Sequence, residues 1–150
     1  MKRFEFSLRR VLDLRKQQAE MERARLQALL ATLERLREAK QSLNQELQDA
    51  RTSLTRSLAS GNDYRVFADF EQHIHRRCAV HDRDSQLVQQ QVRGQQVKVR
   101  DADQQVKLLE NLKAKKLEQW NHQFDKELEE LASDSYLARM SADRRRSGGL

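Results

Sequence analysis

The chain of 150 residues has no proline, four glycines and one cysteine. Each shortage excludes a class of protein. A β-sandwich or barrel needs many tight turns, and turns draw on glycine and proline. A doubly wound α/β enzyme needs near-continuous apolar strands, and none is visible. A single cysteine, Cys78, forms no intramolecular disulfide, which fits a reducing compartment. No stretch approaches the roughly 18 to 20 apolar residues of a membrane span. The start, Met1 to Arg10, has no apolar run suited to a signal peptide, so a soluble, cytoplasmic protein is expected. What the chain has in abundance is charge, 35% of residues with a formal net charge of +6, beside 37% hydrophobic residues. Such a composition reads as long helix or coiled coil, with disorder as the competitor.

Periodicity decides between them. Leu26, Leu29, Leu33, Leu36, Lys40, Leu43, Leu47, Ala50, Leu54 and Leu58 step by threes and fours, the a/d seam of a heptad repeat. Extended backwards the seam passes Glu22, Ala19 and Arg15 to Leu12 and Leu8. A second seam runs from Phe67, Phe70, Ile74, Cys78 and His81 through Ser85, Val88, Val92, Gln95, Val99, Ala102, Val106 and Leu109 to Leu112, Leu117, Trp120 and Phe124. Between them lies Ser60-Gly61-Asn62-Asp63. Gly61 suits the left-handed position after a helix, and Asn62 or Asp63 suits the next N-cap. A loop this short makes the helices antiparallel neighbours. Ser7 is the expected N-cap of the first helix, with Phe6 and Val11 as its hydrophobic staple.

Residues facing each other in an antiparallel hairpin have a constant total of residue numbers. Leu54 with Phe70, Leu33 with Val92, Leu26 with Val99 and Leu8 with Leu117 all total 124 or 125. The expected fold is therefore all-α, a long two-helix antiparallel coiled-coil hairpin forming a single domain over 1–150. Helix 1 spans about 7–59, the turn 60–63 and helix 2 about 64–140, followed by a disordered tail over 141–150. Four features weaken the seams. Lys40 faces Asp84 or Ser85, Glu22 faces Ala102, Arg15 faces Leu109, and Gly94 costs the second helix about 1 kcal/mol relative to alanine and marks a flexible point. From about residue 121 the second helix has no partner, an overhang of about 30 Å that carries Phe124, Leu128, Leu131, Tyr136, Leu137 and Met140.

The eight aromatic residues gather at the two ends. Tyr64, Phe67 and Phe70 belong to the turn end. Phe4, Phe6, Trp120, Phe124 and Tyr136 belong to the open end. Aromatic clusters mark contact surfaces, and they also seal frayed coiled-coil ends. No phosphate-binding loop, dinucleotide turn, nucleophile elbow or H-E-x-x-H pair is present, so no catalytic residue, cofactor or small-molecule substrate is expected. His75, Cys78 and His81 at helical spacing beside His73 suggest a zinc site, but seam positions 78 and 81 should point at Leu47 and Leu43. A core thiol and a partly exposed histidine are expected, with no metal. Basic residues interleave with acids as on solvated coiled-coil flanks. The denser basic stretches, 1–16 and 139–150, favour an acidic partner at the open end over nucleic acid.

Certain motifs resemble a known family. Phe4-x-Phe6-x-Leu8-x-x-Val11-Leu12-x-Leu14-Arg15 looks like the start of the FliJ-type flagellar export proteins, relatives of the YscO-type type III secretion proteins. Lys126-x-Leu128-Glu129-Glu130-x-Ala132 is similar to the family's closing K-x-L-D-E-x-A pattern, with Glu129 in place of Asp. Gly61 followed by Phe67, Phe70 and Ile74 resembles its central turn. The resemblance spans nearly the whole chain. It implies a non-enzymatic stalk that enters a hexameric export ATPase, contacts the cytoplasmic domain of a membrane export gate and escorts export chaperones, in the cytoplasm at the inner membrane. It puts Phe4, Phe6, Leu8, Leu12, Arg15, Leu128, Glu129, Glu130 and Ala132 near the ATPase ring, with the open-end aromatics Trp120 and Phe124. It puts Tyr64, Phe67, Phe70 and Ile74 at a gate-facing tip. The alternatives are a generic cytoplasmic coiled-coil scaffold or chaperone and a basic nucleic-acid-binding rod.

Overall fold

The computed structural model describes residues 3–147, which form two helices and, among the described residues, no strand. Helix α1 is Arg9–Arg56 and helix α2 is Gly61–Ser147, 48 and 87 residues long. The two pack against each other as an all-α hairpin. The chain divides into two compact units. One joins the residues up to Lys16 with those from Gln104 onward, and the other is Gln17–Asp103.

The buried residues fall on the two seams. In the Gln17–Asp103 unit they are Ala19, Leu33, Leu43 and Leu47 from α1 and Ile74, Cys78, Val92 and Gln95 from α2. Leu43, Leu47, Ile74 and Cys78 form one cluster, against which Phe67 and Phe70 pack. Ion pairs line its flanks. Lys40 meets Asp82 at 2.7 Å and Arg51 meets Glu71 at 2.6 Å, both with residue numbers totalling 122. Arg23 meets Asp103 at 2.5 Å with a total of 126. These totals bracket the seam value of 124 to 125, as pairs on the two edges of one antiparallel interface should. In the other unit Leu12 is the buried apolar residue, and Lys16 pairs with Glu110 at 2.8 Å.

The turn differs from its expected form. Gly61 does not take a left-handed conformation but is the first residue of α2. Ser60 is the N-cap. Its backbone N–H and hydroxyl donate to Asp63 Oδ2 at 2.7 and 2.8 Å, and the amide of Asp63 lies 3.4 Å from Ser60 Oγ. This reciprocal capping box satisfies otherwise orphaned backbone groups and holds the Asp63 carboxyl below the usual carboxylate range, chiefly through the Ser60 amide. Asp63 is thus the third helical residue and not a cap. Helix α1 stops at Arg56, so Leu58 lies on the connection and is fully exposed instead of facing Phe67.

The helix ends move as well. Ser7 is not the first N-cap. Leu8 accepts the amide of Leu12 at 2.9 Å, and Phe6 accepts that of Arg9 at 3.0 Å, so the helical path begins one residue late. Val11 remains exposed. The tail expected to be disordered is helical over 141–147. Ala142, Arg144 and Arg145 favour helix there, and the two arginines suit its C-terminal dipole. Residues 148–150 lie outside the described residues. No helix of the described chain is long and apolar enough to cross a membrane.

Candidate functional site

The unit that holds both ends of the chain builds a groove of about 530 Å³. One wall is the non-helical segment before α1, contributing Arg3, Phe4, Phe6 and Leu8. The other is α2, contributing Lys116 and Trp120. The aromatic contacts explain why the chain leaves the helical path here. The Phe4 ring lies tilted against Trp120 with centroids 6.1 Å apart. Trp120 in turn stacks on Phe124 at 5.1 Å. Offset aromatic pairs of this kind add about 0.5 to 1.5 kcal/mol beyond burial alone. That contribution draws residues 4–6 onto α2 in place of the expected staple.

Nearby, Lys16 and Glu110 fix α1 to α2 within the same unit. Their hydrogen bond and mutual charge raise the pKa of Lys16 and lower that of Glu110. Both side chains remain about half exposed, so the pair orients more than it stabilises.

Of the expected ring-facing residues, the structure brings Phe4, Phe6, Leu8 and Trp120 to one groove, with Phe124 stacked at its side. Leu12 is buried below it, and Arg15 is half-buried. Leu128, Glu129, Glu130 and Ala132 are exposed further along α2 and do not line the groove. Successive helical residues turn by about 100°. Leu117, Trp120, Phe124, Leu128 and Leu131 therefore share an arc of about 80°, and Tyr136, Leu137 and Met140 point elsewhere. On the overhang itself only Phe124, Leu128 and Leu131 share this face, so its apolar stripe is shorter than its set of apolar residues.

The expected tip residues have two fates. Ile74 is 1% exposed, and Phe67 and Phe70 pack on its cluster. These three close a core. Tyr64 alone stands out, 58% exposed. The cysteine and histidines near them separate too. The Cys78 thiol is buried and lies 3.8 Å from Asn44 Oδ1, His81 is half-buried, and His73 and His75 are exposed. Among the described residues no group of three metal-ligating side chains converges.

Two features escaped the sequence. Lys40 reaches Asp82, not Asp84 or Ser85, because its long stem carries the charge around the helix to the flank. Gln95 is buried, and its amide donates to the Glu22 carbonyl at 3.0 Å and to the Glu22 carboxylate. The Glu22 carboxylate is also held by Arg25 at 2.9 Å. The residue numbers of Gln95 and Glu22 total 117, whereas the seam register sets Glu22 against Ala102, so spacing alone gave no signal of this pair. Compared with known proteins, the chain significantly matches no family model, no curated protein and no solved structure.

Proposed function

We propose that the chain is a non-enzymatic coiled-coil stalk of a flagellar, type III protein export ATPase complex. In this reading it couples a hexameric ATPase to the cytoplasmic domain of a membrane export gate and escorts export chaperones. It works in the cytoplasm, peripherally attached to the inner membrane. The observation that carries the proposal is the aromatic groove. Phe4, Phe6 and Leu8, which the family resemblance assigns to the ATPase ring, line one surface with Trp120. Beyond it α2 continues with Leu128 and Leu131 exposed, as a helix that awaits a partner does.

The test is ATP turnover by a purified hexameric export ATPase. Full-length protein should raise turnover. Deleting 121–150 should abolish the effect and leave most helicity in place by circular dichroism. Equal stimulation by the truncated chain would refute the assignment.

A further inference from the structure

One side of the unit that holds both chain ends is apolar and basic. The Lys16–Glu110 pair at 2.8 Å marks one edge of the contact between α1 and α2. Val11 lies about 140° around α1 from Lys16, and Leu112 about 160° around α2 from Glu110, so both fall at the opposite edge. Leu14 and Leu108 lie about 60° and 40° further round on the same side. The residue numbers of Val11 and Leu112 total 123 and those of Leu14 and Leu108 total 122, close to the seam register, which sets the four side by side. Val11, Leu112, Leu14 and Leu108 are 41%, 37%, 53% and 69% exposed. The charges on this side have one sign. Arg10 lies about 40° beyond Leu14, and Lys115 about 20° beyond Leu108. Both are exposed, and among the described residues neither is in an ion pair within the chain. The acids of these helical stretches, Asp13 and Glu110, lie about 100° or more from the patch on their own helices. Residues 3–16 and 104–116 together hold nine Lys or Arg against three Asp or Glu, a net +6 that equals the charge of the whole chain.

We infer that this face docks on an anionic lipid surface. Val11, Leu14, Leu108 and Leu112 enter the boundary between headgroups and acyl chains, and Arg10 and Lys115 meet the lipid phosphates. A lipid surface is the occupant because exposed apolar residues flanked by unpaired cations, with no acid among them, are the composition of an interfacial face. The side chains rise from two adjacent helices, and a bilayer adapts to that contour where a rigid partner has to match it. Apolar burial and attraction to anionic lipid then act together, as stable surface binding requires. The inference stands apart from the stalk assignment, because it needs only this chain and lipid.

The experiment mixes the purified full-length chain with vesicles of phosphatidylcholine, alone or with phosphatidylglycerol, and pellets the vesicles. The chain should pellet with the mixed vesicles and stay in solution with the neutral ones. Leu14→Gln together with Leu108→Gln should weaken binding by about tenfold or more and leave helicity by circular dichroism unchanged, since both positions are exposed. Lys115→Gln should weaken it about fivefold. Arg65→Gln removes the same charge from an exposed position of the other unit and should change binding by less than about twofold. No pelleting with the mixed vesicles would overturn the inference and leave the patch to a protein. Equal binding to both kinds of vesicle, binding indifferent to the paired leucine changes, or equal losses from Lys115→Gln and Arg65→Gln would also overturn it.

Discussion

Two stretches of α2 carry almost the same pattern and meet opposite fates. Phe67, Phe70, Ile74 and Cys78 step by threes and fours, and so do Trp120, Phe124, Leu128 and Leu131. In the first, Leu43 and Leu47 complete a cluster in which Ile74 is 1% exposed. In the second, the segment before α1 supplies Phe4 to Trp120, and Leu128 stays 44% exposed. An apolar stripe at helical spacing specifies a face to be covered, not what covers it. Where the chain supplies the second helix, the stripe becomes core. Where it does not, the stripe stays a surface.

The largest expected effect comes from Ile74→Ala. Removing a fully buried isoleucine side chain should cost about 3 kcal/mol, read by urea denaturation. Leu128→Ala should stay within about 0.5 kcal/mol on the monomer. Similar costs for the two would erase the contrast.

Next is the turn. Ser60→Ala removes the capping hydroxyl and should cost about 1 kcal/mol, measured the same way. Gly94→Ala should act in the opposite direction. A Cβ at Gly94 would meet nothing within 4 Å, and its backbone does not have positive φ. Alanine there should stabilise by up to about 1 kcal/mol, raising the thermal midpoint. A loss would mean that Gly94 serves a bend or a close approach that the straight helical path does not contain.

The smallest effect is a pH dependence in the unit that holds the groove. Glu110 is lowered in the folded chain, so its contribution is present above its unfolded pKa and is lost as pH falls through the folded value. Lys16 is raised, so its contribution is present below its unfolded pKa and is lost as pH rises through the folded value. Because each shift is caused chiefly by the other residue, Glu110→Gln and Lys16→Met should each flatten both the acid and the alkaline limb of the thermal midpoint against pH. Both changes should shrink with added salt.

The hairpin was legible because heptad spacing survives over most of the chain and because two seams read separately share one register. The flanking pairs Lys40–Asp82 and Arg23–Asp103 agree with that register. The helix ends were less legible. Ser60-Gly61-Asn62-Asp63 fits two grammars, a glycine that ends one helix or a capping box that starts the next, and the second prevailed because Ser60 and Asp63 satisfy each other. Leu58 kept the seam's spacing but lay past the end of α1. At the candidate site, sequence placed Phe4, Phe6, Leu8 and Trp120 at one end, but it did not show that residues 4–6 leave the helix to form a wall. Nor did it separate Phe67, Phe70 and Ile74, which close a core, from the exposed Tyr64. Spacing alone does not distinguish a covered face from a bare one.

Native-state hydrogen exchange of the full-length chain, at a concentration where sedimentation shows monomer, tests the contrast most directly. Amides at 43–47 and 74–78 should exchange slowest. Those at 124–140, in a helix with few buried contacts, should exchange faster by about a hundredfold or more. Equal protection of the two stretches would contradict the account, because the second would then already be covered within the single chain.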